Sequence, residues 1–377
     1  MRRKTYIHER PDWPGFRWDS GAIAAQLGAV RHRQGRLLGR MEGLGFDLRT
    51  EAALLTLTQD ALKTSEIEGE ILDRDQVRSS LALRLGLATA GVQPIDRRAD
   101  AIVAVLLDAT RNFQLPLTAD RLFMWHKLLF PSGGGRRDPI TVGAWRTDER
   151  GRMIVASGPP DRERIHFEAP AADRIQAEMA RFLAWYEDKT DTTDPVLKAA
   201  TAHIWFVTIH PFGDGNGRIG RALADMALAR SEATSQRFYS MSARLRVERS
   251  AYYETLEATQ KGDLDITPRL GWFLTVVDRA LSDAEKALGA TLRKSRFWTA
   301  IAGTPLNERQ RSMLNRLLDG FEGKLTTSKW GKIAKCSQDT ALRDIADLIK
   351  RCVLTLDHAG GRSTSYSLSP AFTERTD

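Results

Sequence analysis

The chain of 377 residues has only two cysteines, Cys336 and Cys352. Two are too few for a disulfide framework, and on their own they form no zinc site. A reducing, cytoplasmic setting is the expectation that follows. No apolar stretch reaches the length that a membrane span needs, so no membrane is expected among the partners. The opening residues, Met1 to Arg10, are basic but lead into no apolar core, which argues against a secretory signal. Two signatures of phosphate chemistry are missing as well. There is no Gly-x-x-x-x-Gly-Lys-Ser/Thr loop and no kinase catalytic loop or Asp-Phe-Gly run. Internal repeats and low-complexity tracts are absent. What remains is 42% hydrophobic and 28% charged, the balance of a soluble globular protein, and long enough for two or three domains. The net charge of +8 sits in the flanks: residues 1–50 carry +5 and residues 307–377 carry +3, leaving residues 51–306 neutral. Scattered basic excess serves solubility, and it permits contact with nucleic acid without requiring it.

Residues 210–221 read His-Pro-Phe-Gly-Asp-Gly-Asn-Gly-Arg-Ile-Gly-Arg. Apolar helical stretches lie before it (Pro195 to Ile209) and after it (Ile219 to Ala229), so the run is a loop that opens a helix. Gly215 and Gly217 remove the Cβ atoms that would block close backbone approach. The first N–H groups of the following helix then favour an anion. Arg218 and Arg221, three apart, share one helix face and can grip phosphate oxygens bidentately. Asp214 is a hard oxygen ligand suited to Mg²⁺, which takes one or two carboxylates plus substrate phosphates. His210 can accept a proton near neutral pH, whereas His203, inside the preceding helix, reads as a core residue. Singly, each residue reads as an ordinary turn, core or surface residue. Together in one loop they describe a polyphosphate site with a base beside it.

Every defined position of His-Pro-Phe-x-Asp/Glu-Gly-Asn-Gly-Arg-x-x-Arg is filled from His210 through Arg221, and this run resembles the signature of the Fic family. The resemblance implies transfer of AMP from ATP to a Ser, Thr or Tyr hydroxyl of a target protein. It implies that His210 takes the hydroxyl proton and that Asp214 holds Mg²⁺ against the α- and β-phosphates. Gly215, Asn216 and Gly217 would form the anion hole, Arg218 would hold the β-phosphate region and Arg221 the γ-phosphate, and Phe212 would point inward to anchor the ATP-binding loop. Upstream, Thr64-Ser65-Glu66-Ile67-Glu68-Gly69 resembles the inhibitory motif of some Fic proteins, Ser/Thr-x-x-x-Glu-Gly/Asn, which implies that Glu68 pairs with Arg221. Apolar spacing through Glu51 to Ile67 predicts a helix there, and Gly69 suits the left-handed position past its end. Gly143-Ala144-Trp145-Arg146 leads into Thr147 to Ile154, with Asp148-Glu149-Arg150-Gly151 as turn material. With the β-prone Met153, Ile154 and Val155, this segment is similar to the hairpin flap that covers a Fic site and pairs with a target backbone. Dimers are common in the family, so a homodimer is compatible with the resemblance.

The fold expected is mainly α: a Fic-type helical bundle with a small β-hairpin flap, plus a C-terminal winged-helix-like module. Residues 1–90 form an N-terminal helical region with the inhibitory helix, opened by the aromatic segment Pro11 to Trp18; helices are expected at Ile23 to Leu38 and Glu51 to Ile67. Residues 91–290 form the catalytic domain, with helices at Ala99 to Thr110, Ala119 to Phe130, Asp173 to Trp185 and Leu270 to Leu288. Residues 307–377 form the module. Its expected helices are Glu308 to Leu318, Ser328 to Ala334 and Gln338 to Arg351, the last with apolar Leu342, Ile345, Leu348 and Ile349. A hairpin follows, of Leu354-Thr355-Leu356 and Tyr366-Ser367-Leu368 around Gly360-Gly361. In a winged helix the third helix is the reading helix. Here it carries Asp339, Asp344 and Asp347 beside Arg343, Lys350 and Arg351, which disfavours DNA and favours a protein-interaction or dimer module. Two rival functions stand beside AMP transfer. One is removal of AMP, or transfer of another phosphate-bearing group, at the same site, with Glu68 helping to activate water. The other is a DNA-binding regulator acting through the module.

Overall fold

The computed structural model describes residues 5–87, 95–135, 138–149, 151–159, 162–321, 323–357 and 364–373. Arg150 and Gly360-Gly361 lie outside these. The described residues fall into two compact units, 1–284 and 285–377.

The first unit is helical. Its helices are α1 (Ser20–Glu42), α2 (Phe46–Ile67), α3 (Arg74–Arg84), α4 (Arg97–Arg111), α5 (Ala119–Leu129), α6 (Ala172–Glu187), α7 (Pro195–Ile209), α8 (Asn216–Glu232), α9 (Met241–Val247), α10 (Arg249–Gln260) and α11 (Thr267–Ala300), the last running on into the second unit. Two antiparallel pairs interrupt them: β1 (Gly134–Gly135) with β2 (Asp138–Pro139), and β3 (Ile154–Ser157) with β4 (Arg164–Glu168). The centre is α7 against α8. α7 is buried from Val196 to Ile209 except at the half-buried Lys198, which accounts for its lack of a polar face. It starts on Asp194, whose carboxylate accepts from Val196 N at 2.8 Å, with Pro195 in the first position, where a missing N–H is harmless. α8 packs on α4 as well as α7, and α2 lies against both α8 and α4. The aromatic N-terminal segment covers α6 and α7: Trp13 is buried, donates from Nε1 to Glu178 at 2.9 Å, and meets Trp205 edge-on.

The flap differs from the sequence expectation in register. Residues Asp148 to Gly151 precede the hairpin; they do not turn it. Asp148 instead accepts from Ala172 N at the start of α6 (2.7 Å) and pairs with Arg146 (2.8 Å). The strands that pair are Ile154–Ser157 and Arg164–Glu168, with an irregularity between Val155 and Ala156.

In the second unit, α12 (Glu308–Leu318), α13 (Thr327–Ile333) and α14 (Gln338–Lys350) precede an antiparallel pair, β5 (Leu354–Leu356) and β6 (Tyr366–Leu368), and a final turn, α15 (Pro370–Thr373). Its core gathers Phe297 of α11 and Ile301 just past its end with Met313, Leu314, Leu325, Trp330, Ile345, Leu348 and Tyr366. Two expectations for α14 are corrected. Leu342 is exposed because it falls at the edge of the buried stripe formed by Ala341, Ile345 and Leu348. Asp344 is buried and held by Arg309 at 2.9 Å, and Asp347 accepts from Gln310 and Arg351. Those two acids are spent within the unit, leaving Asp339, Arg343 and Lys350 among the exposed residues of α14.

Candidate active site

The loop between α7 and α8 is built from its backbone outward. His210 ends α7 in the left-handed conformation, φ 53° and ψ 57°, with its N–H on Phe206 O at 3.0 Å. Arg146 fixes that geometry: Nε donates to His210 O at 2.8 Å, its own N–H donates to Pro211 O at 2.9 Å, and Nη2 reaches Pro170 O. Phe212 is fully buried, stacked on His126 at 4.3 Å and beside Trp145 at 5.2 Å. Asn216 closes the loop from the other side. Its Oδ1 accepts from Phe212 N at 3.0 Å and its Nδ2 donates to Phe212 O at 2.8 Å. The Asn216 side chain is thus spent on bracing, and its backbone N–H is what it offers to an anion. Gly215 precedes α8 with φ +80°, and a Cβ there would meet the Phe130 ring at 2.6 Å. No side chain caps α8, so its first N–H groups face the site at the positive end of the helix dipole.

His210 Nδ1 lies 3.1 Å from Val207 O. A carbonyl only accepts, so Nδ1 carries the proton and Nε2 keeps its lone pair. Burial, with the charge of Arg146, pulls the imidazole down to about 4, against the opposing pull of the Val207 carbonyl, Glu68 and Asp214. The ring is therefore neutral at physiological pH. Asp214 is exposed, and one of its oxygens accepts from Gly215 N at 2.5 Å.

The end of α2 meets the start of α8 across this loop. Arg221 is buried; Nη2 contacts Glu68 Oε1 at 2.8 Å, Nε donates to Thr64 Oγ1 at 2.8 Å and Nη2 to Thr64 O at 2.9 Å. Thr64, the first residue of the upstream motif, thus holds the same guanidinium as Glu68. Burial pushes the Glu68 carboxyl up, but Arg221, with Arg218 and Arg249 behind it, prevails and holds it below the usual carboxylate range. Its side chain keeps 30% of its surface accessible although protein surrounds it closely. A Cβ on Gly217 would collide with Glu68 Oε1, so glycine there is what lets the carboxylate sit at the helix start. Arg218, also buried, donates from Nη1 to both oxygens of Glu70 at 3.1 Å and lies over Phe130. Glu70 is a contact that sequence reasoning missed. Its only sequence signal is its place two residues after Glu68. Arg249 of α10, also missed, donates to Ile67 O at 3.2 Å and closes the end of α2.

Of the flap residues, Met153 and Val155 pack against Tyr6, Phe167 and Ala169, while Ile154 is exposed. The hairpin is tied to α10 by a relay from Ser157 Oγ to His166 Nε2 (2.6 Å) and from His166 Nδ1 to Glu257 (2.6 Å). Among the described residues no group of three or more His, Cys, Asp or Glu could hold a metal ion by itself. No helix there is long and apolar enough to cross a membrane.

Comparison with known proteins falls on the same residues. The Fic/DOC family profile matches residues 116–228, and a second profile, a domain of unknown function (DUF4172), matches residues 6–87. A uridine 5'-monophosphate transferase of Xanthomonas campestris pv. campestris is 31% identical over 121 residues, 30% of this chain and 21% of that protein. The protein adenylyltransferase Fic of Drosophila melanogaster is 28% identical over 200 residues, 52% of this chain and 36% of that one. The chain thus spans about a third or less of the length of these relatives. The fold is shared with a Fic family protein of Desulfovibrio desulfuricans G20, with a TM-score of 0.51 at 19% identity, covering 92% of this chain and 96% of that one. A Fic domain signaling protein of Bacteroides thetaiotaomicron has a TM-score of 0.50 at 19% identity, covering 71% and 98%. With its mainly helical fold shared with a Fic family protein and the loop from His210 to Arg221 inside the matched region, this chain carries a Fic/DOC family domain over residues 116–228.

Proposed function

We propose that the chain is a protein adenylyltransferase: it transfers AMP from ATP to a hydroxyl of a target protein and is held back by Glu68. The observation that carries this reading is the pair of buried guanidiniums, Arg218 and Arg221, at the open start of α8, each occupied by a carboxylate. Two cations and a helix N-terminus form a polyphosphate cradle, and the carboxylates stand where phosphate oxygens would. Neutral His210 would accept the hydroxyl proton at Nε2 as the hydroxyl oxygen bonds to the α-phosphorus and the bond to pyrophosphate breaks. Phosphate charge beside the ring would raise its basicity toward the working pH.

Asp214, an exposed carboxylate, fits a Mg²⁺ shared with the nucleotide, since one carboxylate is what such an ion takes when phosphates supply its other ligands. Bound there, Mg²⁺ would neutralise charge on the α- and β-phosphates. The names of the two relatives, one an adenylyltransferase and the other a uridine monophosphate transferase, support nucleoside monophosphate transfer as the class, with ATP the proposed donor. Met153, Ile154 and Val155 are proposed to align the target backbone. Regions 1–90, 91–290 and 307–377 are proposed as inhibitory region, catalytic domain and winged-helix-like interaction module, with a homodimer as the proposed assembly.

The test is incubation with Mg²⁺ and labelled ATP or UTP, comparing the parent with Glu68→Gly. Self-labelling from ATP should rise strongly in the variant, because Arg221 is then open to the γ-phosphate. Unchanged or reduced labelling in a folded variant would count against inhibition, and labelling from UTP alone would reassign the donor. A second reading, removal of AMP from a modified protein, is favoured by the ionised and partly accessible Glu68, which could orient a water. Loss of AMP removal in Glu68→Gly would support it.

A further inference from the structure

The turn that delivers Glu68 also delivers a second carboxylate. α2 ends with Gly69 N on Glu66 O at 3.1 Å and Glu70 N on Ser65 O at 2.9 Å, the paired closure of a Schellman cap. Gly69, with φ +84°, reverses the chain, so Glu68 and Glu70 flank the reversal. Opposite them, Arg218 and Arg221 share one face of α8. Each carboxylate meets its own guanidinium: Glu68 on Arg221 at 2.8 Å and Glu70 on Arg218 at 3.1 Å. Arg218 is 7% exposed and lies 5.0 Å over the Phe130 ring. It is too enclosed to serve a new anion while keeping the old one. Arg218 Nε and Arg221 Nη1 are buried without a hydrogen-bond partner, so neither carboxylate satisfies every donor of the guanidinium it occupies.

We infer that Glu70 is a second nucleotide-excluding carboxylate, which occupies Arg218 as Glu68 occupies Arg221, so that opening the site fully requires both to leave. The inference rests on the nucleotide reading above and extends it to a residue outside the upstream motif. A tethered carboxylate competes at high effective concentration, and apparent nucleotide affinity falls with the fraction of molecules whose arginines are open. Removing Glu68 alone leaves Glu70 in place, because the Schellman hydrogen bonds position Glu70, not the Glu68 ion pair. The two contacts can be read apart by nucleotide length. ADP has a β-phosphate for Arg218 and nothing for Arg221 at the γ position, so ADP affinity reports Glu70, and the added effect in ATP reports Glu68.

The experiment uses the full chain as parent, Glu68→Gly, Glu70→Gln and the double variant. ADP and ATP dissociation constants with Mg²⁺ are measured by calorimetry, alongside self-labelling rates, with thermal melts to verify folding. Glu70→Gln should tighten ADP about tenfold, equivalent to about 1.4 kcal/mol. The double variant should label itself about tenfold faster than Glu68→Gly, since freeing a second site of this kind couples by roughly 5- to 150-fold. Glu70→Ala, which removes the amide that Gln could still offer Arg218, should tighten ADP at least as much. Unchanged ADP affinity in both Glu70 variants, with a double variant no faster than Glu68→Gly, would overturn the second exclusion and leave the Glu68 lock standing. Failure of every form to bind either nucleotide would overturn the transfer reading, and this inference with it.

Discussion

His210 owes its proton-accepting form to the backbone as much as to the ring. The left-handed turn at its own Cα brings Nδ1 to Val207 O, and Arg146 holds the carbonyls on either side of the Pro211 peptide unit. Nitrogen NMR of the nucleotide-free protein should therefore show His210 neutral, protonated at Nδ1, with a midpoint near 4; a midpoint near 6.5 would refute the assignment. The depressed value also fixes the sign of the stability effect. As pH falls from 6.5 toward 4 the unfolded chain takes up this proton and the folded chain does not. Stability is then lost on acidification, by at most about 1.4 kcal/mol per pH unit from this residue. For activity, His210→Ala should lower AMP transfer by roughly 10² to 10⁴ while ATP affinity stays near parental, because the phosphates are held by other groups. Near-parental transfer would remove His210 from the reaction.

At the scale of elements, the end of α2 is the device that matters. Gly69 has φ +84°, and an added Cβ there would meet nothing within 4 Å. Gly69→Ala therefore tests backbone strain alone, a cost of roughly 1–2 kcal/mol. The melting temperature should fall, and self-labelling should rise, because a distorted cap presents Glu68 and Glu70 poorly. Lower melting without any gain in labelling would separate the cap from inhibition. The sequence made the well-capped, apolar-patterned elements legible: α7 and α12 begin and end where their apolar spacing and caps place them. It hid α3, α9 and α10. α3 is polar, with Val77 and Leu81 as its large buried apolar anchors, and α9 and α10 meet at Glu248 with no spacer between them. The flap strands were half legible. β-propensity located Ile154 and Val155, and Asp148 to Gly151 does make a turn, with Gly151 N on Asp148 O at 2.9 Å, but that turn lies before the hairpin, where the Asp148 side chain bridges Arg146 and the start of α6.

For the whole molecule, the division into residues 1–284 and 285–377 makes a separable prediction. A chain of residues 1–284 should fold, give a helical circular dichroism spectrum and bind ATP with parental affinity. The core of the second unit begins at Phe297 and Ile301, so a chain ending at residue 306 should instead expose those side chains and aggregate more readily. An unfolded 1–284 chain would show that the first unit depends on the second. The run from His210 to Arg221 was readable because its residues are contiguous. The pairing of Glu70 with Arg218 spans 148 positions, so only the folded chain reveals it. The basic excess of residues 307–377 could not be interpreted from the sequence either, because Asp344 and Asp347 count toward net charge yet are engaged by Gln310 and by Arg309 and Arg351.

The double clasp at the start of α8 also bears on how easily the protein could be switched on by accident. With one carboxylate as the restraint, any single missense change at that codon would release an unregulated modifying enzyme. With Glu68 and Glu70 on separate guanidiniums, one change leaves the second restraint engaged, and full release requires two independent genetic events. Random mutagenesis scored for toxicity in a host should then recover a larger gain of function from changes at Gly69, where one substitution disturbs both restraints at once, than from single changes at Glu68 or Glu70.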